Sequence, residues 1–316
     1  MSARDQQMRG MYFKIQNWNL NRCLAPGPQC PNTAIRAHTV QNGRVMDILE
    51  RSGHVKRIVI RSTNAGVKLS FEDIGRNLAS TFEGFCSTHG TQLFIPIDTT
   101  PLDPTNEEQL FLLTYRSVAR ETHSVMEGAS KIQSAYQSRI QVGIDTGLEP
   151  EPVGLQAVAH MANAYETWEY KERLDTALLK RDFQSLRYIV IAIQHTRPAL
   201  AVSSTFTLED RKETKTVRLT INLIPQNLET SFVIFGFLPE NEQRVREFLM
   251  RILDTEDDYQ KYLLSKLILT HCENFVISPT IFDSWSTEKV SAVEGFFRET
   301  LHENKEREDQ NLYLFN

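Results

Sequence analysis

The sequence predicts an α+β protein built from three consecutive parts: a small mixed domain over residues 1–98, a long helical hairpin over 105–185, and an antiparallel sheet with C-terminal helices over 186–316. Three observations carry that expectation. The segment NEEQLFLLTYRSVARETHSVMEGASKIQSAYQSRI sets Leu110, Leu113, Val118, Val125 and Ile132 at helical spacing with charge on the other face. A second long segment, from about Leu155 to Lys180, puts Val158, Met161, Tyr165 and Trp168 on one stripe, and the break GIDTGLEPEPVG between the two predicts an antiparallel hairpin. Beyond it the period changes. LRYIVIAIQH, ALAVSSTFTL, TVRLTINLIP and TSFVIFGFLP are rich in β-branched and aromatic residues and bounded by Pro, Asn and charged turns, which suits antiparallel strands.

The other elements follow in order. MYFKIQNW reads as a short strand, VMDILERSGHV as a short helix, and VKRIVIRS as a strand that pairs through the turn STNAG with VKLSFEDI. IDTTPLDPTNEEQ sets two prolines among Thr, Asp and Asn and marks the boundary before the hairpin. After the sheet, NEQRVREFLMRIL and DDYQKYLLSKLIL are each preceded by acidic or amide residues suited to a helix start, and TEKVSAVEGFFRETLHENK is a last helix running into a charged tail. The apolar stripes of the two long helices are expected to be packing surface.

At 316 residues the chain can bury a core without disulfide staples. No apolar run approaches the roughly eighteen residues of a spanning helix, and the opening MSARDQQMRGMYFKIQNW does not read as a secretory signal, so a cytoplasmic location away from membrane is expected. Charge is divided unevenly: residues 1–90 hold 12 Lys/Arg against 6 Asp/Glu, and 91–316 hold 23 against 34. That balance permits a nucleic-acid partner at the basic first part only. A protein partner or a second copy of the chain is expected at the helical hairpin or the C-terminal part.

Four cysteines are too few for a disulfide framework, and three of them fall in the first third of the chain. Cys272, alone in LILTHCENFV, reads as a buried structural thiol. Cys86 and His89 in GFCSTHG have the two-residue gap that lets one tight turn present both to a tetrahedral ion. Cys23 and Cys30 are further apart, but Pro26, Gly27 and Pro28 lie between them and Pro31 follows, so a rigid loop can fold its ends together. The four predict a closed structural Zn²⁺ site that staples the start of the first domain to its end. With every position taken by protein, zinc itself has no open site for chemistry. Two other histidines are then the candidates: His38 in AIRAHTVQ, where alternation places Arg36 and His38 on one strand face, and His54 in SGHV.

Cys-x6-Cys, a strand-borne His, a later Asn and Cys-x2-His together resemble the zinc-stabilised HNH, or His-Me finger, endonucleases, over roughly the first ninety residues. The resemblance implies metal-dependent hydrolysis of a nucleic-acid phosphodiester, with His38 as general base and Asn77 in IGRNLAST orienting water or supporting a catalytic Mg²⁺ or Mn²⁺. It also implies a role in bacterial defence against phage. The chain departs from the family at Ala37, where an acidic residue often precedes the His, and at TQLFIPID, which reads as a strand where a helix usually follows the second ligand pair. The last ligand of the catalytic ion is thereby left open among His54, Asp73 and Asp98. The patterns AIRAHTV, GHV and FCSTH are also similar to those of uncharacterised bacterial proteins, which groups His38, His54, Cys86 and His89 as one site with no assigned activity. The alternative function is a non-enzymatic, zinc-stabilised module for protein interaction or ligand sensing. Phosphate-loop, G-x-S-x-G, H-E-x-x-H and dinucleotide signatures are absent, and His195, His271 and His302 are expected to be surface or packing residues.

Overall fold

The computed structural model describes residues 10–11, 14–63, 66–149, 151–209, 216–300 and 308–315. Its principal elements are β1 (Ile35–His38), β2 (His54–Thr63), β3 (Gly66–Gly75), β4 (Thr81–Phe85), α1 (Ser87–Asp98), α2 (Glu107–Gln141), α3 (Pro152–Lys180), β5 (Arg187–Gln194), β6 (Leu200–Glu209), β7 (Thr216–Pro225), β8 (Thr230–Phe237), α4 (Glu242–Leu253), α5 (Asp257–His271), β9 (Phe275–Ile277) and α6 (Thr287–Thr300). The fold is α+β, as the sequence predicts. Its contacts divide into two units, each assembled from separated segments: Met1–Ala37, Phe82–Gln92 and Val118–Asp182 in one, His38–Thr81, Leu93–Ser117 and Phe183–Asn316 in the other. This division differs from the consecutive one at 98 and 185, because strand pairing over long sequence distances cannot be read from local pattern.

In the first unit, the C-terminal part of α2 and the whole of α3 form the expected hairpin. Arg139 holds the connection by bonding both oxygens of Asp145, Nη2 to Oδ1 at 2.7 Å. Gly154 lies so close to α2 that a Cβ there would sit 2.9 Å from Tyr136 Cζ. Pro152 starts α3, and Arg181 ends it in the left-handed region at φ 54° while its N–H reaches back to the carbonyls of Ala177 and Leu178. The stripe Val158, Met161, Tyr165 and Trp168, expected to pack, is exposed; the buried face carries Ala157, Ala164, Thr167, Tyr170, Lys171, Leu174 and Ala177 instead. Helical spacing determines which residues share a face and says nothing of what meets that face.

The second unit is built on a seven-stranded antiparallel sheet in the order β3-β2-β9-β6-β7-β8-β5. The predicted β2–β3 hairpin forms, in a register from His54↔Gly75 to Thr63↔Gly66, and joins the C-terminal strands through β9. Alternation along β7 sends Leu219, Ile221 and Leu223 into a core with Val245, Leu249, Leu264, Ile268 and Phe296 of α4, α5 and α6. On the other face Ile224, Ile234 and Val276 pack with Val45, Met46, Leu49, Leu110 and Leu113. Between these apolar groups the start of α2 meets β7 through hydroxyls and amides: Ser117 Oγ donates to Asn222 Oδ1 at 3.0 Å and Thr114 sits over Gly236.

Two local expectations are corrected. Residues 14–16 are helical where MYFKIQNW reads as a strand, and TQLFIPID lies inside α1. Both are short apolar runs, in which helical and strand periods cannot be told apart. The turn between β2 and β3 and His302 lie outside the described residues.

Candidate metal centre

All four predicted zinc ligands come together within the first unit. The Sγ atoms of Cys23, Cys30 and Cys86 and a ring nitrogen of His89 lie within 4.8 Å of one another. Cys23 Sγ is 3.4 Å from His89 Nδ1, Cys86 Sγ is 3.4 Å from the same nitrogen, and Cys30 Sγ is 3.9 Å from Cys86 Sγ. Tetrahedral zinc with ordinary Zn–S and Zn–N bonds requires edges of about 3.5–3.8 Å between its ligands. The spacing therefore fits zinc and is far too long for a disulfide; all three thiols are free.

Each half of the centre is positioned by its local sequence. Cys86 follows β4 directly and His89 lies in the first turn of α1, closed by Gly90 N–H bonding Cys86 O at 2.8 Å. The loop 24–31 bends at Gly27, whose φ of 92° suits glycine, and is tied to β4 by Leu24 N–H on Gly84 O at 2.7 Å. Gly84 is required as well, because a Cβ there would overlap the Phe82 ring. Two backbone donors already point at sulfur: Cys86 N–H at Cys23 Sγ, 3.3 Å, and His89 N–H at Cys86 Sγ, 3.5 Å. The His89 N–H holds the Cys86 thiol below its ordinary range, while burial pushes that of Cys23 up. Zinc would be held by these four residues as a closed, structural site.

Comparison of the chain with protein-family models, curated proteins and solved structures finds no match.

The catalytic candidates belong to the second unit. His38, half-buried at the end of β1, donates from Nε2 to the carbonyl of Arg76 at 3.3 Å; a carbonyl only accepts, so the ring proton sits on Nε2 and Nδ1 is left as an acceptor. Burial lowers the pKa of His38, with the Arg76 carbonyl and Asp98 opposing and the charge of Arg116 assisting. Asn77, exposed, is the next residue after Arg76 in the turn 76–80, and its Oδ1 accepts from Asn42 Nδ2 at 2.8 Å. His38 and the Asn77 turn are thus brought together. His54 is exposed at the start of β2, its Nδ1 on the carbonyl of Ser52. Asp73 pairs with Lys56 at 2.8 Å, and Asp98 with Arg116 at 2.8 Å. The cysteine and histidine quartet is the one group of three or more potential ligands found among the described residues.

Local reading of the sequence missed Arg116. It is 4% exposed, stacks 4.1 Å over Phe94 and borders a cavity of about 140 Å³ shared with Gln41, Arg44, Leu102, Leu113 and Gln226. Nothing local marks it, since an arginine on a helix reads as a solvated one. Much of the positive charge of residues 1–90 is also engaged: Arg36, Arg51, Lys56, Arg61 and Arg76 pair with Glu83, Asp283, Asp73, Glu72 and Asp47. Two of the other histidines are engaged by neighbouring side chains. His271 lies 4.6 Å from the Phe206 ring centre, and His195 bonds Ser231 Oγ at 2.7 Å. Among the described residues no helix is long and apolar enough to cross a membrane.

Proposed function

We propose that the chain is a nuclease of the HNH type, acting in the cytoplasm, in which the Cys23, Cys30, Cys86 and His89 centre is a structural zinc and His38 is the general base. The observation that supports the reading is the state of His38: neutral through burial, its Nε2–H fixed on the Arg76 carbonyl, and its Nδ1 left to accept a proton. In this reading Nδ1 takes a proton from water as the water oxygen attacks phosphorus and the bond to the leaving sugar oxygen breaks. Asn77, held one residue beyond that carbonyl, orients the water. A divalent Mg²⁺ or Mn²⁺, when bound, supplies charge stabilisation at the phosphate. Asp73 and Asp98, the carboxylates that the sequence offers for such an ion, are engaged by Lys56 and Arg116. Defence against phage is part of the proposal on the strength of the resemblance alone.

The test is cleavage of plasmid DNA and of RNA by the purified full chain with Mg²⁺ or Mn²⁺. Loss of cutting in His38→Ala, with melting temperature and zinc content unchanged, supports the reading; intact substrates with wild-type protein defeat it. A second reading, a zinc-stabilised interaction module, is favoured by one observation, the exposed apolar face of α3. Under it His38→Ala leaves function intact.

A further inference from the structure

From Leu155 to Trp168, helix α3 buries small residues and exposes large ones, while Tyr170, Lys171 and Leu174 are buried further along. Leu155 is 56% exposed, Val158 65%, Met161 48%, Tyr165 58% and Trp168 41%, while Ala157, Ala164, Thr167 and Ala177 face inward. A globular helix ordinarily does the reverse. We propose that α3 pairs with α3 of a second copy of the chain as an antiparallel two-helix coiled coil, with the two-fold axis passing at the level of Asn163.

Spacing is the first support. Val158, Met161, Tyr165 and Trp168 are separated by three, four and three residues, the a/d pattern of a coiled-coil seam. When such helices run antiparallel, each a position meets a d position of the other copy. Val158 then meets Trp168 of the second copy, and Met161 meets its Tyr165, so every layer sets one aliphatic side chain against one large ring. These pairs are centred on the level of residue 163, and Ala162, exposed beside the seam, lies one helical rise of about 1.5 Å from that axis, close to its own counterpart. The sequence is self-complementary in the sense that a two-fold contact requires.

Charge gives the second support. Glu166, Glu169 and Glu172 are all exposed in the later half of the stripe. Parallel pairing would set these carboxylates beside those of the second copy and stack Trp168 on Trp168; antiparallel pairing keeps the acidic ends apart. Area is the third. The five exposed apolar side chains present about 500 Å² per copy, as large as the biggest patch on an ordinary monomer, and two copies together bury about 1,000 Å², where specific interfaces begin. This pairing is independent of the nuclease reading.

The test uses the full chain. Sedimentation of the wild type at about 10 µM is expected to give a dimer, and Val158→Glu or Tyr165→Glu, each placing two carboxylates in the seam, is expected to raise the dimer Kd at least about 100-fold. Both positions are exposed, so circular dichroism and zinc content stay unchanged. Ala162→Cys is expected to form a covalent dimer on mild oxidation while the wild type, with its own thiols, does not. A monomer at about 100 µM overturns the proposal, as does a dimer indifferent to both glutamates. Crosslinking through Met161→Cys but not Ala162→Cys indicates parallel helices and overturns the antiparallel arrangement.

Discussion

Replacing Cys86 by serine probes the metal centre with little change in volume at a site that is 1% exposed. The centre joins positions 56 and 66 residues apart, Cys30 to Cys86 and Cys23 to His89. Closing a loop of that size removes about 4 kcal/mol of chain entropy from the unfolded state, treating the metal as a cross-link of disulfide strength. The variant should therefore lose its zinc and about 4 kcal/mol of stability, lowering the melting temperature by roughly 10 °C. Elemental analysis and calorimetry on wild type, Cys86→Ser and His38→Ala provide the assay. A chelator should bring wild type down to the Cys86→Ser temperature and leave the variant where it is. His38→Ala should keep one zinc and the wild-type transition. Should Cys86→Ser retain stoichiometric zinc, or melt within about 2 °C of wild type, the reasoning from ligand geometry to stability fails.

Burial between Phe206 and Phe248 lowers the pKa of His271 to about 4, against an ordinary 6.5. The unfolded chain therefore binds the extra proton first, and stability present above pH 6.5 is lost as pH falls toward 4, by about 2 kcal/mol. Unfolding free energies at pH 7.5 and 4.5 should show this loss in wild type and a smaller one in His271→Phe; equal losses would exclude it. Gly236→Ala places a Cβ onto Thr114 Oγ1 and 2.8 Å from Thr220 Oγ1, and should cost about 1–3 kcal/mol in urea denaturation. Part of that cost should return in Gly236→Ala combined with Thr114→Ala. A single variant indistinguishable from wild type would mean that α2 moves away from β8 without penalty.

Sequence by itself determined what short-range chemistry controls. The two-residue gap of Cys86 and His89 fits one helical turn, so that half of the centre was legible, and the proline-flanked loop of Cys23 and Cys30 made the other half so. The two long helices and the strands β5 to β8 follow from apolar periods of 3.6 and 2, and the β2–β3 hairpin from the turn between two strand-like runs. Tertiary structure decided what those periods leave open. Residues 93–97 are helical because α1 continues from the metal-binding turn, although an apolar run of that length satisfies either period. The β2–β3 hairpin shares a sheet with β6 and β7 because β9, more than two hundred residues further along the chain, lies between them. The Arg116 pair with Asp98, the Arg76 carbonyl on His38 and the exposure of Tyr165 and Trp168 are of the same kind. A side chain's own helix or strand determines the direction it takes, and what it meets there is set by parts of the chain far away in sequence.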